Sequence, residues 1–296
     1  MRTQFSLFST IGIKLILFGI ITSCTCEAEQ SSDRLQIMVV IPPQQYFVER
    51  VAGDRAEVTV LLPPGANPHT YEPRPADLAV LSRADIYFQL GLPFEEAWLP
   101  RLRSAETSTR FIDMLADIDL IMDDEHNHGH HNPHVWLSAR SARTITGNIA
   151  RELSDIDPQY ARQYQENARD FIAELDALDA EFAERLRPFN RRTLLMHHPA
   201  WVYFARDYDL TILAIEEHGS EPGAGRMADV IEQARRLNLR TVFVQPTINP
   251  RTADMVAGDI QGRIVVLENL SYEWEQNMRT AVDEFERALQ ESNHAE

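Results

Sequence analysis

Three histidines stand beside prolines in this chain, an arrangement suited to binding a metal ion. The tripeptide Asn-Pro-His occurs twice, ending at His69 and His134, and a third histidine, His198, precedes Pro199. Proline fixes its own φ and restricts the residue before it, so each histidine lies on a stiff turn. Neutral imidazole is a good ligand for zinc and similar metals, and three imidazoles with a carboxylate would complete a tetrahedral shell.

A second group of histidines lies in the segment 123–134, which also contains acidic residues and a glycine. Its additional histidines are His126, His128, His130 and His131. Because this segment lacks the rigidity of the proline turns, we expect an auxiliary metal-binding loop rather than the primary site. We expect His218 and His294 to be surface residues, and His197 either to support the site or to be exposed.

The N-terminus has the pattern of an export signal. Residues 1–23 contain two basic residues and an apolar run too short to span a bilayer. The run ends in Ile-Thr-Ser before Cys24, which is typical of a bacterial lipoprotein signal. This pattern predicts that Cys24 is lipidated, that residues 24–34 form a tether, and that the protein is membrane-anchored in the periplasm or at the cell surface. The alternative is an ordinary cleaved signal; Cys26 does not fit the lipoprotein pattern.

Composition excludes some classes of function. The chain has 296 residues, 44% of them hydrophobic, which is enough for one large or two smaller domains. A net charge of −17 repels phosphate backbones and argues against nucleic acid as a partner. The two cysteines, Cys24 and Cys26, both lie near the N-terminus, so a metal site in the folded body must use nitrogen and oxygen ligands.

Short apolar runs alternate with helical patterns in both halves of the chain, which predicts an α/β fold with parallel sheets covered by helices. The predicted strands are residues 35–41, 58–62, 86–90, 111–115, 193–196, 211–215, 241–244 and 264–267. The predicted helices between them are residues 75–82, 94–102, 201–208, 226–237, 252–259 and 272–289.

A different segment, residues 158–187, separates the halves. It contains no glycine, and its apolar residues recur at helical spacing. A helix of this length would extend about 45 Å, which is long enough to connect two lobes. The pattern predicts an N-terminal lobe at 35–157, a linking helix at 158–187 and a C-terminal lobe at 188–296. The alternative is two shorter helices.

Several motifs together resemble the metal-binding solute-binding proteins of zinc and manganese ABC importers, the cluster A-I family. They lie at residues 61–73, 132–138 and 198–205. The resemblance extends over essentially the whole mature chain. It implies two lobes of parallel sheet joined by one long backbone helix, with a metal ion bound between the lobes.

The resemblance also implies a set of ligands, with His69 and His134 from the first lobe and His198 and Glu268 from the second. The family usually has aspartate followed by proline where this chain has Glu268-Asn269, so water is an alternative fourth ligand. Two further departures, Asn132 and Gln245, replace acidic residues and are expected not to touch the ligands. Histidine at position 198 favours zinc, and manganese or iron is the alternative.

The implied function is capture of zinc outside the cytoplasm without catalysis. Closure of both lobes around the ion would give the shape that docks on a membrane permease with its ATPase, and we expect a monomer. One rival is a secreted zinc hydrolase with Glu268 as general base, although no catalytic signature accompanies the histidines. A surface adhesin is a further alternative.

Overall fold

Two parallel β-sheets of four strands each form the frame of the protein. The computed structural model describes Met1 and residues 34–104, 107–122, 131–216, 222–247 and 251–293. In this part, the first sheet contains β1 (Leu35–Val39), β2 (Ala56–Val60), β3 (Ile86–Gln89) and β4 (Arg110–Asp113), in the order β2-β1-β3-β4. The second contains β5 (Thr193–Met196), β6 (Thr211–Ala214), β7 (Thr241–Val244) and β8 (Arg263–Val266), in the order β6-β5-β7-β8. The first lobe is built around β1–β4, and the second around β5–β8.

All strand pairs are parallel, as predicted from the alternation of strands and helices. The helices are α1 (Pro42–Ala52), α2 (Pro75–Leu81), α3 (Pro93–Ser104), α4 (Ala139–Ile156), α5 (Ala161–Leu186), α6 (Val202–Asp207), α7 (Ala224–Arg236), α8 (Arg251–Asp259) and α9 (Trp274–Asn293). The predicted fold class, two α/β lobes with a long connecting helix, is therefore confirmed.

Helices α1 and α4 were not among the predicted elements. Helix α4 nevertheless has local signals. The Ser138 hydroxyl caps it by accepting from the Ser141 backbone N–H at 3.0 Å. The buried residues Ala142, Ile145, Ile149 and Leu153 follow at helical spacing. The glycine and threonines within the helix mask this pattern when propensity alone is considered.

Helix α5 is one continuous helix of 26 residues, preceded by a 3-10 turn at Pro158–Tyr160. It buries a single stripe of large apolar side chains, comprising Tyr164, Phe171, Leu175, Leu178, Phe182 and Leu186. Its polar face forms ion pairs with both lobes. Glu174 pairs with Arg50 of α1 at 2.7 Å, and Arg185 pairs with Asp283 of α9 at 2.6 Å. The helix thus ties the first lobe to the second.

Two buried tryptophans join the lobes beside the carboxyl ends of the strands. The Trp136 indole N–H donates to the Asn269 carbonyl at 2.7 Å, and the Trp274 indole N–H donates to the Trp136 carbonyl at 2.7 Å. A buried indole N–H needs such a partner, so these bonds fix the relative position of the connecting loops. The Tyr203 hydroxyl adds a further bond to the Asn132 carbonyl at 2.7 Å.

Several sequence-based predictions fall outside the described residues. These are the lipidation site Cys24, the export signal apart from Met1, the loop histidines His126, His128 and His130, and the expected surface histidines His218 and His294. Within the part of the chain that the structure covers, no helix combines the length and apolarity needed to cross a membrane.

Candidate metal centre

The two Asn-Pro-His tripeptides form the same local turn. In the first, the Asn67 side-chain oxygen accepts the His69 backbone N–H at 2.9 Å. In the second, the Asn132 side-chain oxygen accepts the His134 backbone N–H at 3.0 Å. Asparagine readily bonds to the backbone two residues ahead, and the intervening proline limits the remaining freedom. Each turn therefore holds its histidine in one orientation before any ligand binds.

The third histidine comes from the second lobe. His198 lies just after β5, and the His198 carbonyl accepts the Ala200 backbone N–H at 2.9 Å in a tight turn. Ligands of α/β sheets commonly bind beyond the carboxyl ends of the strands. The structure places His198 at this edge, opposite the two turns of the first lobe.

The three imidazoles form a nearly equilateral cluster. Each pair of rings, among His69, His134 and His198, has its centroids 5.1 Å apart. The Nε2 atoms of His69 and His134 are 3.2 Å apart, and one ligand atom from each of the three residues lies within 4.8 Å of the others. Two nitrogens bound to one zinc ion in a tetrahedral shell are about 3.4 Å apart. The spacing therefore suits joint coordination of one ion.

Hydrogen bonds at the far side of two rings leave their Nε2 atoms available as ligands. The Asn132 side-chain atom that accepts the His134 backbone N–H must be the amide oxygen and not the amide nitrogen. His134 Nδ1 lies 2.8 Å from the same oxygen and must therefore be the donor. His198 Nδ1 donates to Glu216 Oε2 at 2.6 Å. His198 Nε2 is buried and has no hydrogen-bond partner within the described part of the chain. Such outer contacts are typical of histidines that bind metal.

Burial keeps two of the imidazoles neutral. His134 is 1% exposed, and this burial, with the neighbouring His198 and His69, lowers its pKa well below the usual value. Burial also lowers the pKa of His69 to about 4, and His198 adds to the effect. Because a metal ion needs the unprotonated nitrogen, these rings are ready to bind at neutral pH.

The lowered pKa of His69 predicts that acid destabilises the metal-free protein. Between the ordinary pKa of 6.5 and the folded value of about 4, the unfolded ring holds a proton that the folded ring lacks. Acid therefore favours the unfolded state, by about 2 kcal/mol for this group at pH 5 relative to pH 7.5. Urea unfolding at the two pH values measures the loss. His69→Gln is expected to show a smaller loss, and an identical loss would contradict the assignment.

Glu216 was missed from the sequence but contacts the cluster. Although burial alone raises the pKa of Glu216, its contact with His197 and its hydrogen bond from His198 lower the pKa to about 2. His197 is fully buried, with Nδ1 3.2 Å from Glu216 Oε1, so it supports the site rather than being exposed. A signal for Glu216 did exist, because the acid follows a predicted strand at the edge that carries His198.

The structure does not bring Glu268 to the three histidines. Glu268 is exposed, and its Oε1 accepts the Leu270 backbone N–H at 2.8 Å within its own turn. The cluster of mutually close ligand atoms, searched over the described residues, contains no carboxylate.

Asn132 was expected not to touch the ligands, and this was wrong, because its side chain bonds to both the backbone and the ring of His134. Gln245 follows β7, and its buried amide nitrogen has no hydrogen-bond partner among the described residues. Asn132 is thus part of the scaffold of the site.

The base of the histidine-rich loop lies close to the second Asn-Pro-His turn. His131 forms an isolated antiparallel bridge with Met122, and the Asn132 backbone N–H donates to the Ile121 carbonyl at 2.9 Å. The His131 ring packs so closely against Gly91 that a β-carbon at position 91 would lie 2.8 Å from the ring. His131 does not belong to the three-histidine cluster.

Comparison with known proteins identifies relatives over most of the chain. Residues 37–288 match the sequence model of a family described as ZnuA, zinc-uptake complex component A, periplasmic. The chain is 28% identical over 261 residues to the high-affinity zinc uptake system protein ZnuA of Bacillus subtilis (strain 168). That alignment covers 82% of this chain and 81% of the relative.

A second relative carries another metal in its name. The chain is 30% identical over 216 residues to the manganese-binding lipoprotein MntA of Halalkalibacterium halodurans, covering 72% of this chain and 71% of that protein. Among solved structures, a crystal structure of ZnuA superposes with a TM-score of 0.82 at 36% identity. The superposition covers 87% of this chain and all of the other, 100%.

Proposed function

Because this chain belongs to the ZnuA family of periplasmic zinc-uptake components, we propose that it captures zinc for an ABC-type metal importer. The observation that carries this proposal is the cluster of three imidazoles, contributed by both lobes and spaced for one ion. A related protein, ZnuA of Bacillus subtilis, is named for high-affinity zinc uptake.

In the proposed binding mode, the Nε2 atoms of His134 and His198 and an imidazole nitrogen of His69 coordinate zinc. A water molecule takes the fourth position, since Glu268 is occupied in its own turn. Three nitrogens and one oxygen make a normal zinc shell. The ion is the cargo, and the protein supplies a preformed cage that orients the rings and excludes most of the solvent.

Zinc is the proposed metal because of the donor atoms. Imidazole nitrogen suits zinc, whereas manganese prefers carboxylate and water oxygen. With His198 as the third ligand, every protein atom proposed to bind the metal is an imidazole nitrogen. Manganese is the alternative cargo, and the resemblance to a manganese-binding lipoprotein, MntA, keeps it as a candidate.

We further propose that the protein binds zinc without catalysis and delivers it to a membrane permease with its ATPase, as a monomer. The rival function is zinc-dependent hydrolysis, which needs a general base beside a metal-bound water. Glu268, the candidate base, is bonded within its own turn and is not part of the histidine cluster. Esterase, peptidase and phosphatase assays on the zinc-loaded protein separate the two functions, and turnover abolished by His198→Ala would favour the hydrolase.

Delivery can be tested in cells that depend on the importer. A strain lacking this protein should require added zinc in chelator-treated medium, and the intact chain should restore growth. The His198→Ala chain should not restore it. Deleting residues 126–131 tests the auxiliary loop separately, because a collecting role predicts a growth defect only when zinc is scarce.

Lipidation at Cys24 is proposed from the export-signal pattern. Cys24→Ala is expected to abolish incorporation of a labelled fatty acid into the protein, because Cys24 is the residue that the signal pattern marks for lipidation. Cys26→Ala is the matched control and should keep the label. Immunoprecipitation after growth with the labelled fatty acid measures both variants. Unchanged labelling of the Cys24→Ala protein would contradict lipidation at Cys24.

A further inference from the structure

The position of Glu216 follows from the register of two neighbouring strands. Met196, the last residue of β5, is paired with Ala214, the last residue of β6. His198 and Glu216 each lie two residues beyond this pair. Backbone bonding continues past the strands, since the Glu216 N–H donates to the His197 carbonyl at 2.9 Å. The fold therefore delivers the carboxylate to the side of the His198 ring that faces away from the other histidines.

The carboxylate uses both oxygens on adjacent histidines. Glu216 Oε2 accepts from His198 Nδ1 at 2.6 Å, and Oε1 lies 3.2 Å from His197 Nδ1. The Glu216 side chain is only 14% exposed, so solvent weakens these contacts little. A carboxylate held at two points cannot swing toward a metal without breaking both contacts.

The supports of the other rings are different. His134 donates to the neutral amide oxygen of Asn132 at 2.8 Å. In the described part of the chain, the other hydrogen bonds of the three rings have neutral partners, whereas the bond from His198 has the charged Glu216 carboxylate as its acceptor. A charged acceptor makes a shorter and stronger bond than a neutral one, and it makes the opposite ring nitrogen more basic.

We propose that Glu216 is a positioning residue that fixes the orientation and tautomer of His198 and strengthens its Nε2 atom as a metal ligand. The negative charge that offsets the bound cation thus lies on Glu216, which is hydrogen-bonded to the ligand His198 and does not itself contact the metal. This inference rests on the proposed zinc-binding function and names a residue that acts through His198 without touching the ion.

Two variants of Glu216 separate orientation from charge. Glu216→Gln keeps an oxygen that accepts from His198 Nδ1 but removes the charge. Glu216→Ala removes both. Loss of an outer hydrogen-bond partner typically weakens metal binding 10- to 100-fold, so we expect about that loss for the alanine variant. We expect a smaller loss, about threefold to tenfold, for the glutamine variant.

A remote carboxylate provides the matched control. Asp157 is also mostly buried, with a 10% exposed side chain, and it accepts from the Tyr164 hydroxyl at 2.8 Å. Asp157→Asn should reduce thermal stability yet leave zinc affinity within twofold. Competition with a chromogenic chelator gives the affinities of all four proteins, and thermal melts of the metal-free forms show whether each is folded.

Zinc-edge X-ray absorption adds a readout that a purely structural role would not change. Wild-type and Glu216→Gln proteins should both show three imidazoles and one oxygen, with a longer His198 bond in the variant. Loss of an oxygen ligand in Glu216→Gln would make Glu216 a ligand and overturn the inference. Unchanged affinity in folded Glu216→Ala would also overturn it. Failure of the wild-type protein to bind zinc would instead overturn the proposed function.

Discussion

Replacement of His198 with alanine is expected to weaken zinc binding at least about 100-fold. Protein zinc sites with four ligands bind with about 10–16 kcal/mol, so each ligand accounts for roughly 3 kcal/mol, which is about a 100-fold change in affinity. His198 is the proposed ligand from the second lobe, and its buried Nε2 has no hydrogen-bond partner among the residues that the structure describes. Chelator competition at neutral pH measures the loss.

The same assay on Glu268→Gln tests the fourth ligand. Because Glu268 is exposed and bonded within its own turn, we expect the zinc affinity of the Glu268→Gln protein to stay within about twofold of the wild-type value. A large loss would restore Glu268 as a ligand after movement of its loop. For His198, an affinity within twofold of wild type would refute the three-histidine site.

Zinc is expected to stabilise the folded protein strongly. The ligand atoms of His69, His134 and His198 meet only when both lobes are folded and joined, so zinc binds the native state in preference to the unfolded chain. At free zinc 1,000-fold above the dissociation constant, the free energy of unfolding rises by about 4 kcal/mol. For a body of this size the midpoint temperature should rise by about 10 °C. Thermal melts with and without zinc measure the shift.

The His134→Ala variant serves as the control for that shift. His134 is the most buried of the three proposed ligands, so its loss should remove most of the stabilisation while the metal-free variant still unfolds cooperatively. An equal shift in wild type and variant would mean that zinc acts through the acidic surface or the histidine-rich loop. Addition of a strong chelator should reverse the wild-type shift completely.

Much of this architecture is encoded locally. The eight strands were predicted within a few residues, because parallel strands buried by helices appear as short apolar runs separated by helical patterns. The long helix α5 was predicted because its apolar stripe continues without glycine or internal proline. The two helices that were missed contain residues of low helix propensity. Helix α1 begins with two prolines, and α4 contains two threonines and a glycine. Tertiary packing decides the conformation of both segments.

The site was predictable only where the chain itself restricts a residue. His69 and His134 were identified because Asn-Pro-His forms a rigid turn whatever surrounds it. Glu216 was missed because its contact with His198 depends on the register of β5 against β6, a long-range property. Glu268 was assigned by resemblance alone, and its role as a ligand stays a prediction; in the structure its carboxylate accepts the Leu270 backbone N–H. Local stiffness is visible in a sequence, whereas strand register is not.

The three-imidazole cage of His69, His134 and His198 is expected to select zinc over manganese and iron. Elemental analysis of the purified protein, followed by equilibrium competition among zinc, manganese and iron, tests it most directly. We expect one zinc ion per chain, and we expect a 100-fold excess of manganese or iron to leave most of it bound. Manganese prefers oxygen ligands, and iron(II) binds nitrogen ligands less tightly than zinc does. A protein that is isolated with manganese, or that exchanges zinc for equimolar manganese, would contradict the account.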